Sequence, residues 1–599
     1  MTEKFASRRN LDFLLHEVFD VESLTRYPYY ADHDREVFDL VLDTAFKMGR
    51  DILRPCLEEM DRNAPEFVGS TARVHPSVRT FMRESGEGGW IGAGAAYEYG
   101  GQQMPEMMVA LTRFIFSAAN YSLSVYPGLT TGVVNLIITF GTDEMKETYL
   151  PRLLSGEWQG TMALTEPQAG SSLADITTTA EPTDQGYYLL RGQKVFISAA
   201  DHDGVDNVVN MMLAKIKGAP AGVKGISLFL VPKHRPGPEG GLAPNDINLA
   251  GIYHKMGYRG TPLTQLSIGE NGDCRGFLVG RENQGLAHMF QMVNSSRIKV
   301  GMSAIATASA AYYAALDYAR ERPQGRRLSD KDPDLPQVPI IEHPDVRAML
   351  LFQRAVVEGS LGLILQCARY ADLAKVLEGE EAERYALLLD LLIPVVKAYS
   401  SEMGVLSVSR GLQCLGGYGY CDEFPLELYY RDVRIHPIHE GTTGIQGLDL
   451  LGRKVTMKGG RALDLYFEEV GRTAAGAAEI EALAPLAGEL GRAADRVREV
   501  TASLTALKAD RERFLADATG YLEFFSVVAV AWQWLNQARV AAEALAQGPT
   551  DQETRFYRGK IVACRYFFGY ELPKIDGLAR RLLSADALTV EMTPDDFED

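Results

Sequence analysis

Apolar side chains recur at helical spacing over most of this sequence. In a polar lead-in of about 35 residues, the apolar positions Leu11, Leu14 and Val18 predict a short helix packed on the body. The helical spacing continues through residues 35–48 and 107–119, and glycines between these two runs mark turns. Residues 121–131 are apolar and rich in hydroxyl groups, which suits a buried helix or a pocket wall. The pattern predicts a helical domain that ends near residue 159.

The spacing changes between residues 160 and 280. Short β-rich runs at residues 187–197, 208–214, 226–231 and 263–268 are separated by Gly, Pro, Asn and Asp. This pattern is typical of a small β-barrel or sandwich inserted between helical domains.

Helical spacing returns after Gly285. Long runs are expected at residues 290–319, 355–374 and 387–411, the last of which contains Pro394, which should kink it. A polar connector at residues 326–339 joins the first two runs. Beyond residue 456, Ala-rich and aromatic segments have enough apolar content for a further helical domain, whose expected role is packing and oligomer contact. The predicted domains are therefore residues 1–159, 160–280, 281–455 and 456–599, a mainly α fold with an inserted β domain.

Composition narrows the class of protein. The 599 residues are 46% hydrophobic and 23% charged, as in ordinary globular proteins, and the net charge is −18. An acidic balance disfavours a nucleic-acid partner, which normally meets a basic face. The six cysteines are scattered and are expected to be reduced. Because the N-terminus lacks a signal-like apolar segment and no long uncharged apolar run was found, we expect a cytoplasmic protein without a membrane span.

A candidate catalytic group lies in the stretch from Arg434 to Gln446, with Glu440 at its centre. A carboxylate followed by Gly441 and Thr442, where helix gives way to loop, can act as a general base beside free backbone N–H groups. The same residues also fit a simple loop and helix start, because Thr442 or Thr443 makes a good N-cap. From these residues alone, both interpretations stay open.

Further motifs occur at 162–171 (Met-Ala-Leu-Thr-Glu-Pro-Gln-Ala-Gly-Ser), 194–198 (Lys-Val-Phe-Ile-Ser), 413–419 (Gln-Cys-Leu-Gly-Gly-Tyr-Gly) and Arg431-Asp432. Together with the Glu440 motif, in this order and spacing, they resemble the acyl-CoA dehydrogenase flavoprotein family. The resemblance covers residues 35 to about 455, and the remainder is similar to the C-terminal extension of the longer members. It implies an FAD-dependent enzyme with an acyl-CoA substrate.

The resemblance also implies a reaction. Glu440 would remove the pro-R α-proton. Its own backbone N–H and a flavin ribityl hydroxyl would donate hydrogen bonds to the thioester oxygen. Flavin N5 would accept the β-hydrogen as a hydride. Some members carry the base on another helix, but the matching positions here are Ser295 and Ser296. Electrons would pass to an electron-transfer flavoprotein. The alternatives are an acyl-CoA oxidase that uses oxygen and a non-catalytic, DNA-protective relative.

The family's FAD contacts carry over position by position. They fall on Met162, Leu164, Thr165, Ser171, Phe196, Ile197, Ser198, Arg322, Gln324, His343, Gln413, Gly416, Gly417, Gly441, Thr442 and Gly444. The family often has Tyr at Met162 and Trp at Phe196, and these departures leave a less polar wall. Gly325 and Arg326 also depart from the family's Arg-x-Gln-Phe-Gly pattern. Because Arg322 matches a position that binds the FAD diphosphate across a subunit interface, at least a homodimer is expected.

Substrate contacts are implied at Ser171, Asn294, Arg297, Glu440 and Gly441. His436 and His439 precede Glu440, but H-x-x-H-E is not the zinc pattern H-E-x-x-H, and no metal is expected. His439 stands where the family often has Tyr, which hints at a polar acyl group. Gly416-Gly-Tyr-Gly419 is not a dinucleotide fingerprint, so nicotinamide and ATP chemistry are unsupported. The acyl chain itself lies beyond the sequence.

Overall fold

The computed structural model describes residues 4–237, 241–330, 332–584 and 586–599, except for the side chains of residues 290–294. Two compact units form: Met1–Asp34 with Arg297–Asp599, and the continuous segment Arg35–Ser296. The lead-in contains helix α1, Arg8–Asp12, which continues into a π-helical turn, Phe13–Val18. The sequence-predicted helix in the lead-in is therefore present.

The helical part of the continuous unit lies before residue 155. Its helices are α2 Arg35–Met48, α3 Leu57–Arg62, α4 Ser77–Glu87, α5 Glu106–Ala119, α6 Tyr121–Phe140 and α7 Asp143–Leu154. Residues 121–131 thus form a helix, which begins where the side chain of Asn120 accepts a hydrogen bond from the Leu123 N–H at 3.1 Å. A small hairpin that the spacing did not predict, β1 Glu66–Val68 and β2 Thr71–Arg73, follows α3.

The β domain follows directly. Its strands are β3 Trp158–Ala163, β4 Thr179–Pro182, β5 Tyr188–Ser198, β6 Asn207–Ile216, β7 Ile226–Pro232, β8 His234–Pro236, β9 Leu242–Pro244, β10 Ile247–Ile252, β11 Leu263–Ile268 and β12 Arg275–Leu278. Strands β8 and β9 pair separately, and the others form one eight-stranded sheet in the order β10-β11-β5-β12-β7-β6-β3, with β4 pairing β5 and β6. One face packs a core that contains Ile197, Met212 and Phe229.

The remaining helices are α8 Gly285–Glu321, α9 Pro344–Val376, α10 Gly379–Cys414, α11 Leu426–Val433, α12 Thr443–Gly452, α13 Arg461–Ala478, α14 Ala484–Thr505, α15 Arg511–Ala516, α16 Ala518–Ala546, α17 Asp551–Tyr566, α18 Lys574–Leu583 and α19 Leu588–Glu591. Pro394 lies inside α10. The extension packs on the bundle: Trp534 Nε1 on α16 donates to the Ala355 carbonyl on α9 at 2.9 Å. A Cβ at Gly359 would lie 2.4 Å from the same nitrogen, so the two helices need glycine there.

The lead-in is fastened to the extension. Arg9 Nε donates to Glu553 Oε2 on α17 at 3.0 Å, and the rings of Phe13 and Phe556 meet edge to face at 5.4 Å. The buried Lys560 ammonium donates to Asn10, to Glu358 and to Gln537. Residues from both ends of the chain therefore share one core with α9 and α16.

Among the residues that the structure describes, three helices are long and apolar enough to cross a membrane, by length and composition only: Tyr121–Phe140, Pro344–Val376 and Gly379–Cys414. In the structure 50%, 78% and 78% of their most apolar windows are buried within the protein. The absence of a membrane span stays a prediction from the sequence.

Candidate active site

Glu440 lies in a tight loop between α11 and α12. The loop ends at Thr442, the N-cap of α12, whose Oγ1 accepts a hydrogen bond from the Ile445 N–H at 3.3 Å. The backbone of Glu440 is left-handed, with φ +54°, and Gly441 follows with φ +89°. Gln446 Nε2 donates to the Gly441 carbonyl at 3.2 Å. A non-glycine residue held in this region costs roughly 1–3 kcal/mol, which is typical of functional sites.

The Glu440 side chain is half-buried and lies in a mixed electrostatic environment. Burial raises the pKa of its carboxyl group above the ordinary value, while Lys397, Arg297 and Lys299 oppose the rise. The net direction is upward, which makes Glu440 a stronger base than an exposed glutamate. Within the part of the chain that the structure describes, the Glu440 N–H donates no hydrogen bond. This donor is therefore free for a ligand oxygen.

Arg297 braces the loop from α8. Its Nη1 lies 2.7 Å from Asp449 Oδ2 on α12, and the two side chains are 5% and 10% exposed. This buried pair holds the helix that begins at Thr442. A substrate contact of Arg297 stays a prediction, and the side chain of Asn294 lies outside the described residues.

Two histidines lie on the other side of the loop. His436 Nδ1 and His439 Nε2 are 3.2 Å apart, so one ring nitrogen donates and the other accepts. Burial, with His439 and Lys397 nearby, lowers the pKa of His436 well below its ordinary value. His436 is therefore a neutral, fixed partner that orients His439.

In the continuous unit, the turn after β3 is held by a buried lysine. Lys194 Nζ donates to the Leu164 carbonyl at 3.0 Å and to Glu166 Oε1 at 2.9 Å. The Val195 N–H donates to the Thr165 carbonyl at 3.0 Å. These bonds fix the backbone of residues 164–166 against β5, and Met162 is buried on β3 just before them.

Glu166 completes this network. Its carboxylate accepts bonds from the N–H groups of Thr177 and Thr178 at 2.6 and 3.1 Å, and from their hydroxyls at 2.9 and 2.5 Å. Burial would raise its pKa, but Lys194 and these donors lower the pKa to about 2. Burial lowers the pKa of Lys194 to about 8, so the pair is ionised at pH 7. Glu166 and Lys194 both lie in the sequence motifs at 162–171 and 194–198. The position of Lys194 in an apolar strand was the sequence signal that could have indicated a buried ion pair.

Phe196 is placed by a β-bulge. The register of β5 against β11 shifts between Thr264 and Leu266, and Phe196 takes φ +59° there. The residue is 56% exposed, and its ring centroid lies 4.7 Å from that of Tyr253, with 30° between the ring planes. Next to it, Ile197 is buried and the Ser198 carbonyl accepts from Thr161 Oγ1 at 2.7 Å. A bulky residue held in this strained conformation presents a flat apolar face, which fits the ring system of a flavin.

A second candidate surface lies in the unit of residues 297–599. The exposed Arg322 guanidinium lies 5.9 Å from the Tyr418 ring centroid, and the backbone beside it is fixed because His343 Nε2 bonds to the Gln324 carbonyl at 2.7 Å. Near Tyr418, a Cβ at Gly416 or Gly417 would meet no atom within 4 Å. A cation, an aromatic ring and open backbone suit a diphosphate and a base.

The other predicted positions are less constrained. Gln413 and Ser171 are exposed, and Gly444 lies in the first turn of α12. The predicted residues thus fall into three groups. The Glu440 loop and the Arg322 surface lie in the unit that contains residues 297–599, and the turn after β3 with Phe196 lies in the unit of residues 35–296. The individual FAD and substrate contacts stay predictions.

Comparison with known proteins identifies the family. Four family models match in order: the acyl-CoA dehydrogenase N-terminal domain at residues 39–157, the middle domain at 161–270, the C-terminal domain at 283–455, and an acetyl-CoA dehydrogenase C-terminal-like domain at 466–593. A butyryl-CoA dehydrogenase of Syntrophomonas wolfei is 34% identical over 98% of both chains. A 3-methylmercaptopropionyl-CoA dehydrogenase of Ruegeria pomeroyi is 34% identical over 92% of this chain and 94% of its own. The chain belongs to the acyl-CoA dehydrogenase family.

Solved structures confirm the fold. ACDH-11 of Caenorhabditis elegans in complex with C11-CoA superposes with a TM-score of 0.78 and 21% identity, covering 100% of this chain and 96% of that one. An acyl-CoA dehydrogenase of Bacillus anthracis complexed with FAD gives 0.74 and 22% identity, covering 98% and 92%. The mainly helical fold with an inserted β domain is therefore confirmed. The family models and the curated relatives confirm that the chain is an oxidoreductase with FAD as its cofactor.

Proposed function

We propose that Glu440 is the base with which this enzyme dehydrogenates an acyl-CoA thioester between its α and β carbons. The observation that carries the assignment is the combination at one residue of a raised pKa, a strained left-handed backbone and a free N–H. In the reaction the Glu440 carboxylate takes the α-proton. The Glu440 N–H donates to the thioester oxygen, where negative charge develops. The β-hydrogen leaves as a hydride, and the product is a 2-enoyl-CoA.

Bound FAD supplies the hydride acceptor. The chain's own part is to bind and orient: the Phe196 ring and the rigid turn at residues 164–166 offer a face for a flat ring, and Arg322 offers a charge for the diphosphate. Arg322 is exposed and could therefore reach the FAD diphosphate of a second subunit, so we propose at least a homodimer. Light scattering of the FAD-loaded protein measures the oligomeric state.

For the substrate we propose a linear acyl-CoA. The similar proteins are named for butyryl-CoA and 3-methylmercaptopropionyl-CoA, and a broad-specificity linear acyl-CoA dehydrogenase of Mycobacterium tuberculosis is 32% identical over 94% of this chain and 95% of its own. We propose an electron-transfer flavoprotein as the acceptor. Flavin reoxidation in air as fast as turnover would instead favour an oxidase. The net charge of −18 speaks against the DNA-protective alternative.

The test is an anaerobic visible spectrum of the purified flavoprotein during addition of straight, branched, cyclic and dicarboxylic acyl-CoAs, one at a time. We expect a straight-chain member to bleach the oxidised flavin band. The Glu440→Gln variant should keep FAD but bleach about 10²- to 10⁴-fold more slowly, because an amide cannot accept the proton. Glu427→Gln is the matched control, a carboxylate on α11 that pairs with Arg431 at 2.7 Å. Bleaching by Glu440→Gln at the rate of this control would refute the assignment.

A further inference from the structure

Lys397 is a buried cation beside the catalytic loop that the reaction described above does not use. It lies on α10, its side chain is fully buried, and its Nζ has no hydrogen-bond partner among the described residues. At this level α8 and α10 approach closely, since a Cβ at Gly301 would lie 2.8 Å from the Val396 carbonyl oxygen. An ammonium group without hydrogen bonds is costly to bury, so it requires a compensating charge.

Two carboxylates attract the Lys397 ammonium, and of these the Glu440 carboxylate is the one that is half-buried and accepts no hydrogen bond among the described residues. Glu402 and Glu440 attract the Lys397 ammonium, and Arg297 repels it. The neighbouring helices and the loop also carry Lys299, His436, His439 and Asp449. Arg297 is already paired with Asp449, and His436 is held neutral. Glu402 is exposed, and its Oε1 accepts from Thr443 Oγ1 at 2.5 Å.

Building on the assignment of Glu440 as the base, we propose that Lys397 is a positioning residue whose buried ammonium serves as the counter-charge of the Glu440 carboxylate. Burial favours the protonated, inactive form of Glu440, and a nearby cation favours the ionised form that accepts the proton. Lys397 and Glu440 do not form a direct ion pair among the described contacts, so the carboxylate keeps both oxygens free. Burial lowers the pKa of Lys397 to about 8, which leaves it cationic at pH 7.

The experiment measures exchange of the acyl α-proton with D₂O, anaerobically, as a function of pH. The holoenzyme is used with the acyl-CoA that bleaches the wild-type flavin. In Lys397→Met and Lys397→Gln the acid limb of the exchange profile should move to higher pH by roughly one unit, because loss of a nearby cation raises the pKa of a carboxyl group. Lys397→Arg keeps the cation and should keep the wild-type limb.

An acid limb that stays in place in folded, FAD-containing Lys397→Met would overturn the proposal. Failure of both neutral variants to fold while Lys397→Arg folds would overturn it too, because the cation would then be needed for the fold. The Glu440→Gln variant tests the role of Glu440 separately from the role of Lys397. If that variant retains exchange, the base assignment is wrong. If it loses exchange and the neutral Lys397 variants do not shift the limb, only the role of Lys397 is wrong.

Discussion

The turn after β3 and the loop around Glu440 each have a fully buried lysine beside them, Lys194 on β5 and Lys397 on α10, and the two lysines have different hydrogen-bond partners. Lys194 bonds to the Leu164 carbonyl and to the Glu166 carboxylate, which accepts five further hydrogen bonds. Lys397 has no hydrogen-bond partner in the described chain, and the carboxylate near it has a raised pKa. Buried charged groups whose hydrogen bonds are all made stabilise the local backbone. A buried charged group without hydrogen-bond partners remains available to influence catalysis.

The largest expected contrast is in stability. Lys194→Met leaves the Glu166 carboxylate buried without its cation and should lower the free energy of unfolding by about 3–5 kcal/mol. Lys397→Met removes an ammonium that has no hydrogen bond and should cost no more than about 1 kcal/mol. Denaturant unfolding of the two variants under one set of conditions measures both values. An equal loss in the two would erase the contrast and make Lys397 a structural residue.

The next effect is the pH dependence of stability. Because the folded pKa of Glu166 is about 2, below its ordinary 4.5, its contribution is fully present above pH 4.5 and is lost as the pH falls toward 2. The shift corresponds to about 3 kcal/mol. The raised pKa of Glu440 has the opposite sign, since its ionisation lowers stability as the pH rises. Urea unfolding between pH 6 and 3 should show a steeper loss in wild type than in Glu166→Gln, and equal slopes would contradict the assignment.

The smallest effect separates stability from catalysis. Thr442 and Thr550 are both N-caps whose Oγ1 accepts from a backbone N–H at 3.3 Å, at the starts of α12 and α17. Replacing either by Ala should cost about 1 kcal/mol. Only Thr442→Ala should also slow flavin bleaching, because that cap fixes the backbone of Glu440 and Gly441. Equal rates in the two variants would mean that the loop is held by Gln446 instead.

Local chemistry explains what could be predicted from the sequence. The spacing of apolar residues indicated the long helices and the strands β5, β6, β7 and β11, because apolar side chains recur on the buried face of a helix or strand with its characteristic period. The Thr442 cap was among the two candidates because capping depends on neighbours in sequence. The family resemblance then supplied the activity and the cofactor.

Long-range pairing explains what could not be predicted. Asp449 meets Arg297 across 152 positions, and Arg9 meets Glu553 across 544. No spacing rule connects such pairs. The bulge at Phe196 depends on register with β11, and the burial of Lys397 depends on α8. A lysine between apolar neighbours in residues 391–399 was a signal of a special environment, but the partner could only be found in three dimensions.

The fastening of the lead-in to α17 has a consequence for synthesis of the protein. Residues 35–296 form a continuous unit, so they can fold while the ribosome is still translating the rest. Phe13, fully buried in the finished protein, must wait for Phe556. A chain that terminates before residue 551 therefore lacks α17 and leaves the face of Phe13 that packs on Phe556 uncovered. We expect chaperones and proteases to recognise such truncated products. The exposure of the N-terminal segment would then distinguish truncated chains from chains that contain α17.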